Sequence, residues 1–130
     1  MPHIMIVYSP NLPARLDVAA LCRVLRDAAV ATDILPPAGI RVRATACDHV
    51  VIADGNPEHA FLDISLRLRA GRAQADKERA TAAIFAAAEA FCADVLANSS
   101  FMLSFEMRDI DASLSPKTSS IRRYLSGEKE

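Results

Sequence analysis

The chain has 130 residues, 52% hydrophobic and 24% charged, with a net charge of −1, which is the size and composition of one folded domain with its own core. A charge so close to zero excludes an electrostatic footprint for nucleic acid or an anionic membrane, and 5% aromatics without tryptophan excludes a base-stacking platform. No run approaches the ~20 apolar residues of a spanning helix, and the start lacks the basic and apolar regions of a secretory signal, so a cytoplasmic protein is expected.

His3 to Tyr8 reads as a nearly continuous apolar strand, the pattern of a strand covered on both faces. Ser9-Pro10-Asn11-Leu12-Pro13 supplies turn and helix-start chemistry. Leu16, Ala20, Leu21, Val24, Leu25 and Ala28 then recur at helical spacing, ending near Thr32, and Pro36-Pro37 closes the connection. Ile40, Val42, Ala44 and Ala46 alternate with Arg41, Arg43, Thr45 and Cys47, a second strand with two unlike faces. A short apolar piece, Val50-Val51-Ile52, precedes the turn Asp54-Gly55-Asn56-Pro57.

After that turn the pattern restarts. Leu62, Ile64, Leu66 and Leu68 alternate with Asp63, Ser65, Arg67 and Arg69 in a third strand, and Ala70-Gly71-Arg72 leads tightly into a long helix. Its apolar stripe is Ile84, Phe85, Ala88, Phe91, Cys92, Val95 and Leu96, and it ends at Asn98 to Ser100. Phe101, Leu103, Phe105 and Met107 alternate in a fourth strand. From Asp109 onward the chain is polar, with Ile121, Tyr124 and Leu125 as docking points.

The order predicts a single domain of two βαβ units, 1–55 and 56–110, with a tail over 111–130. Each unit needs a right-handed crossover to form a parallel pair. Two helices cover one face of four strands. The other face carries Arg41, Arg43, Asp63, Ser65 and Arg67 beside apolar residues, so oligomerisation through it is expected.

The chemistry centres on Pro2. With Met1 removed, Pro2 carries a free secondary amine; with Met1 retained, the same nitrogen is an amide without basicity. A proline amine is more basic than an ordinary α-amine at about 7.7–8.0, so the site must lower its pKa, which apolar burial and neighbouring guanidinium groups both do. Alone, a second-position proline simply starts a strand. Arg41 and Arg43, two apart in one strand, share a side; there they meet a protein carboxylate such as Asp63, a neighbouring subunit, or a carboxylate on a ligand. Arg72 follows Gly71 at a strand-to-helix junction where backbone N–H groups point outward. Guanidinium groups converging with a terminal amine suit a small-molecule carboxylate.

Other chemistries find little support. His3, His49 and His59 show no metal-ligand spacing, so no metal site is expected. Four glycines form no phosphate loop or nucleophile elbow, and no cofactor is expected. Cys22, Cys47 and Cys92 read as buried structural thiols.

Taken in order, Met1-Pro2-His3-Ile4, Pro37-Ala38-Gly39-Ile40-Arg41-Val42-Arg43, Ala53-Asp54-Gly55, His59-Ala60-Phe61, Ala70-Gly71-Arg72 and Leu103-Ser104-Phe105-Glu106 resemble the tautomerase superfamily, and within it the 5-carboxymethyl-2-hydroxymuconate isomerases. The resemblance spans almost the whole chain. It implies an α+β, MIF-like subunit with a four-stranded mixed sheet and two helices on one face, assembled as a homotrimer. It also implies catalysis by Pro2, with Arg41 and Arg72 binding the substrate and Arg43 and Phe105 walling the site. The implied reaction is a cofactor-free proton shift on an unsaturated 2-hydroxy or 2-oxo di- or tricarboxylate, in the breakdown of homoprotocatechuate-type aromatic compounds. Two other readings stay open at this point: another 2-oxo acid tautomerase or hydratase-like dehalogenase on the same site, and a trimeric binding module without turnover. Internal pairing of the site arginines with Asp63 or Glu106 would favour the last.

Overall fold

Strand β1 (His3–Tyr8) lies inside a four-stranded sheet of order β2-β1-β3-β4, with β2 at Arg41–Ala46, β3 at Ala60–Arg69 and β4 at Phe101–Ile110. These elements come from a computed structural model that describes residues 2–125. Met1, on which the processing step falls, and residues 126–130 of the tail lie outside the described residues. Each βαβ unit forms its parallel pair, β1 with β2 and β3 with β4. An antiparallel β1–β3 seam joins the units, with His3 opposite Arg67 and Tyr8 opposite Leu62.

Helix α1 (Val18–Ala31) starts at Asp17, whose carboxylate accepts the Ala20 N–H at 3.0 Å and so satisfies one of the unpaired donors of the first turn. It buries Leu21, Leu25 and Ala29. The second helical run is not one helix but two, α2 (Gln74–Phe91) and α3 (Ala93–Asn98). Cys92 interrupts it at φ −91°, ψ 8°, and its N–H donates to the carbonyls of Ala88 and Ala90. Buried positions run Ala80, Ile84, Ala88, Cys92 and then Val95. That shortened last step turns Leu96, expected in the stripe, outward to 40% exposure.

The helices cover one sheet face. Ile4 and Ile6 pack there with Leu62, Ile64, Leu66 and Leu68, all buried, each such side chain contributing about 1.5–3 kcal/mol. Leu103, Phe105 and Met107 extend this layer on β4. The opposite face carries His3, Met5, Val7, Arg41, Arg43, Asp63, Ser65 and Arg67, as expected from alternation. The expectation that β1 is covered on both sides is therefore met on one side only within the chain: Met5 and Val7 are half-buried. Val50-Val51-Ile52 forms no strand, and Val51 is exposed. Among the described residues no helix is long and apolar enough to cross a membrane.

Candidate active site

The register gathers four chain segments at one end of the sheet. Pro2 precedes β1 there, β2 begins there, and β3 and β4 finish there. The Pro2 ring is fully buried, and its carbonyl accepts the Arg41 N–H at 3.2 Å, continuing the β1–β2 ladder by one bond. Alternation turns Pro2 toward the helices with Ile4 and Ile6, while Arg41 and Arg43 share the open face with His3.

The cations at this end are held in an unusual way. Arg41 Nε donates to the Gly39 carbonyl at 3.2 Å. Arg72 Nε donates to the Ile34 carbonyl at 2.8 Å, and its Nη1 to the Arg69 carbonyl at 2.9 Å. Those two bonds fix the guanidinium plane; Nη2 takes part in neither. Arg69 Nη2 in turn donates to the Ser115 carbonyl at 3.1 Å. Among the described residues, none of Arg41, Arg69 and Arg72 makes an ion pair. A carbonyl satisfies a donor without cancelling a full charge, so these groups are positioned yet electrically uncompensated. Asp109, opposite Leu68 in the β3–β4 register, is engaged by Lys77 at 3.2 Å. Gly71 makes the turn that aims Arg72: its φ of +120° belongs to a region that residues with a Cβ rarely enter.

His3 feels the same cations. Burial, then the charges of Arg41, Arg67 and Arg43, push its pKa down to about 4. The imidazole is therefore neutral at pH 7, and its Nδ1, 3.3 Å from Arg43 Nη1, accepts that donor.

Phe105 stands apart. It pairs with Ile64 in mid-strand and packs against the core, so a single chain does not bring it to Pro2. The internal pairing that would neutralise the arginines is not formed: Asp63 accepts from Ser104 Oγ at 2.6 Å, and Glu106 binds Arg108 at 3.0 Å. Of the thiols, Cys92 is buried, which pushes its pKa up to about 11, while Cys22 and Cys47 are half-buried; all three are free. Arg69 was not singled out by the sequence. Only the β1–β3 register brings the end of β3 to the start of β1, and strand alternation does not report that register.

Two βαβ units joined through an antiparallel seam define the structural class. The same fold occurs in a fused 4-OT described as a wild-type symmetric trimer, with a TM-score of 0.56 and 22% identity over 85% of this chain and 87% of that one. Within that class, the chain belongs to the 5-carboxymethyl-2-hydroxymuconate isomerase family, whose model matches residues 2–125, and it is an isomerase. It is 28% identical to the 5-carboxymethyl-2-hydroxymuconate Delta-isomerase of Escherichia coli over 121 residues, 93% of this chain and 96% of that protein. A crystal structure of a 5-carboxymethyl-2-hydroxymuconate delta-isomerase superposes with a TM-score of 0.89 at 32% identity, covering 99% of this chain and 96% of that one. The isomerase of Deinococcus radiodurans R1 gives 0.87 at 31% identity, with 96% and 95% covered.

Proposed function

We propose that the chain isomerises an unsaturated 2-hydroxy di- or tricarboxylate of the 5-carboxymethyl-2-hydroxymuconate type, with Pro2 as general base once Met1 has been removed. The observation that carries this reading is the set of positioned, uncompensated arginines beside Pro2. Pro2 nitrogen takes the proton of the 2-hydroxyl, leaving a delocalised dienolate. The resulting ammonium returns the proton to a carbon further along the conjugated chain, giving the 2-oxo product. Arg41 and Arg72 hold carboxylates and stabilise negative charge on the developing oxyanion, and no cofactor is required for that step. The surrounding guanidinium groups disfavour a protonated Pro2 in the resting enzyme, as they do a protonated His3.

The same reading assigns a homotrimer, in which the open sheet face with half-buried Met5 and Val7 packs against neighbouring copies. Phe105, a core residue in its own chain, would wall a site only across such a boundary, while Arg43 borders it from the open face. The absence of arginine pairing with Asp63 or Glu106 speaks against a binding module without turnover. A substrate panel of 5-carboxymethyl-2-hydroxymuconate, 2-hydroxymuconate and a 3-haloacrylate tests the reaction. Ketonisation of the first two supports the proposal; turnover of the haloacrylate alone would replace it with the dehalogenase reading.

A further inference from the structure

Beyond β4 the tail does not return to the core. Leu114, Ile121 and Tyr124 are 78%, 50% and 77% exposed. Apolar burial within the chain therefore does not explain why this segment lies where it does. Its path is set by polar contacts. The Ser115 carbonyl accepts from Arg69 at the end of β3, and residues 117–122 reach the turn before β2. The tail thus runs from one edge of the sheet to the other, along the end where Pro2 sits.

Between the tail and that turn lies a cavity of about 300 Å³, lined by Pro36, Ala38, Gly39, Lys117, Ser119 and Arg122. Among its lining groups Lys117 carries a positive charge, and Ser119 adds a hydroxyl donor. The cavity also shares Gly39 with the substrate-binding side, because the Gly39 carbonyl is the anchor of Arg41 Nε. An anionic arm leaving Arg41 would meet the Lys117 ammonium and the Ser119 hydroxyl.

We infer that the tail supplies a second carboxylate subsite to the Pro2 site, with Lys117 as the specificity-determining residue for the carboxylate most remote from the reacting carbons. The inference rests on the reaction proposed above and deepens it. A tricarboxylate such as 5-carboxymethyl-2-hydroxymuconate has an arm for this subsite; 2-hydroxymuconate, a dicarboxylate, has none. Lys117 is exposed on an extended tail, so its replacement leaves the core untouched.

The experiment compares parent, Lys117→Ala and Lys117→Arg through the ratio of kcat/KM for the tricarboxylate to that for the dicarboxylate. Lys117→Ala is expected to lower this ratio about tenfold through KM, the scale of one charge-assisted contact, and Lys117→Arg to restore most of it. An unchanged ratio overturns the subsite. Calorimetric titration with propane-1,2,3-tricarboxylate and with glutarate supplies a readout independent of turnover. The parent should prefer the tricarboxylate, and Lys117→Ala should lose that preference. If binding discriminates in this way but no isomerisation occurs, the subsite stands and the proposed reaction falls. If the parent binds both alike, the subsite falls whatever the activity.

Discussion

The two ends of the sheet are built from similar residues and handled in opposite ways. At the end where β3 and β4 begin, polar groups close on one another. His59 bridges Asp54 at 2.7 Å and Ser100 at 2.6 Å, Arg15 pairs with Glu58 at 3.6 Å, and the Asn11 amide donates to the Pro57 and His59 carbonyls at 3.1 and 2.8 Å. At the Pro2 end, Arg41, Arg69 and Arg72 rest on carbonyls and, among the described residues, meet no counter-charge. The first arrangement satisfies partners and fixes loops. The second positions cations on carbonyls rather than on carboxylates. A Ser-His-Asp set of hydrogen bonds is thus a clamp between a turn and a strand, whereas three arginines without an ion pair among the described residues mark the place where chemistry is expected.

The largest expected effect falls on the uncompensated end. Arg72→Ala should lower kcat/KM about 100-fold, or ~2.7 kcal/mol, because a desolvated carboxylate or oxyanion loses a fixed bidentate donor. Arg72→Lys should recover little of it, since an ammonium cannot keep both carbonyl bonds and still face a ligand. A thermal melt of each variant separates this from unfolding; an Arg72→Ala protein with parental activity would remove the arginine from the site.

Next in size is Gly71→Ala. Space is available for a Cβ there, but a φ of +120° is not, so about 1–3 kcal/mol of stability should be lost. Because the turn aims Arg72, KM should rise as well. Denaturant melts and steady-state kinetics measured together test whether one strained residue moves both.

At the self-satisfied end, His59→Ala should cost about 1 kcal/mol, read as a lower denaturant midpoint, with kcat/KM within about twofold of the parent. A collapse of activity with normal stability would erase the contrast between the two ends.

The smallest effect is a pH dependence. The pKa of His3 lies at about 4 in the folded chain, below its ordinary 6.5. Between those values the unfolded chain holds a proton that the folded chain refuses, so stability falls as pH drops from about 6.5 to about 4 and levels off below. His3→Asn removes this contribution. Its stability relative to the parent should therefore improve across that window, as read by urea denaturation at several pH values. A constant difference would show that burial and the neighbouring cations do not depress the His3 pKa.

Much of this contrast was legible in the sequence, and the gaps have physical reasons. Period-two alternation located β3 and both faces of the sheet, and proline and glycine punctuation located the turns. Alternation does not report which strands become neighbours, so the antiparallel β1–β3 seam that sets Arg67 opposite His3 was beyond it. A single interruption at Cys92 hid inside an otherwise helical stripe, since cysteine and alanine carry no breaking signal. Phe105 shares parity with Leu103 and Met107, which places it in the core layer of its own chain. The carbonyl anchoring of the arginines depends on loop geometry around Ile34, Gly39 and Ser115, which residue types alone do not specify.

The central claim is that a free Pro2 amine does the chemistry, and one paired measurement tests it most directly. Untagged protein, and a form carrying one extra residue ahead of Pro2, are each characterised by intact mass and assayed on 5-carboxymethyl-2-hydroxymuconate. The account predicts that turnover tracks the fraction of chains beginning at Pro2 and that the extended form, equally folded, is at least about 100-fold slower, the lower end for loss of a positioned general base. Equal turnover by chains whose Pro2 nitrogen is an amide would contradict it.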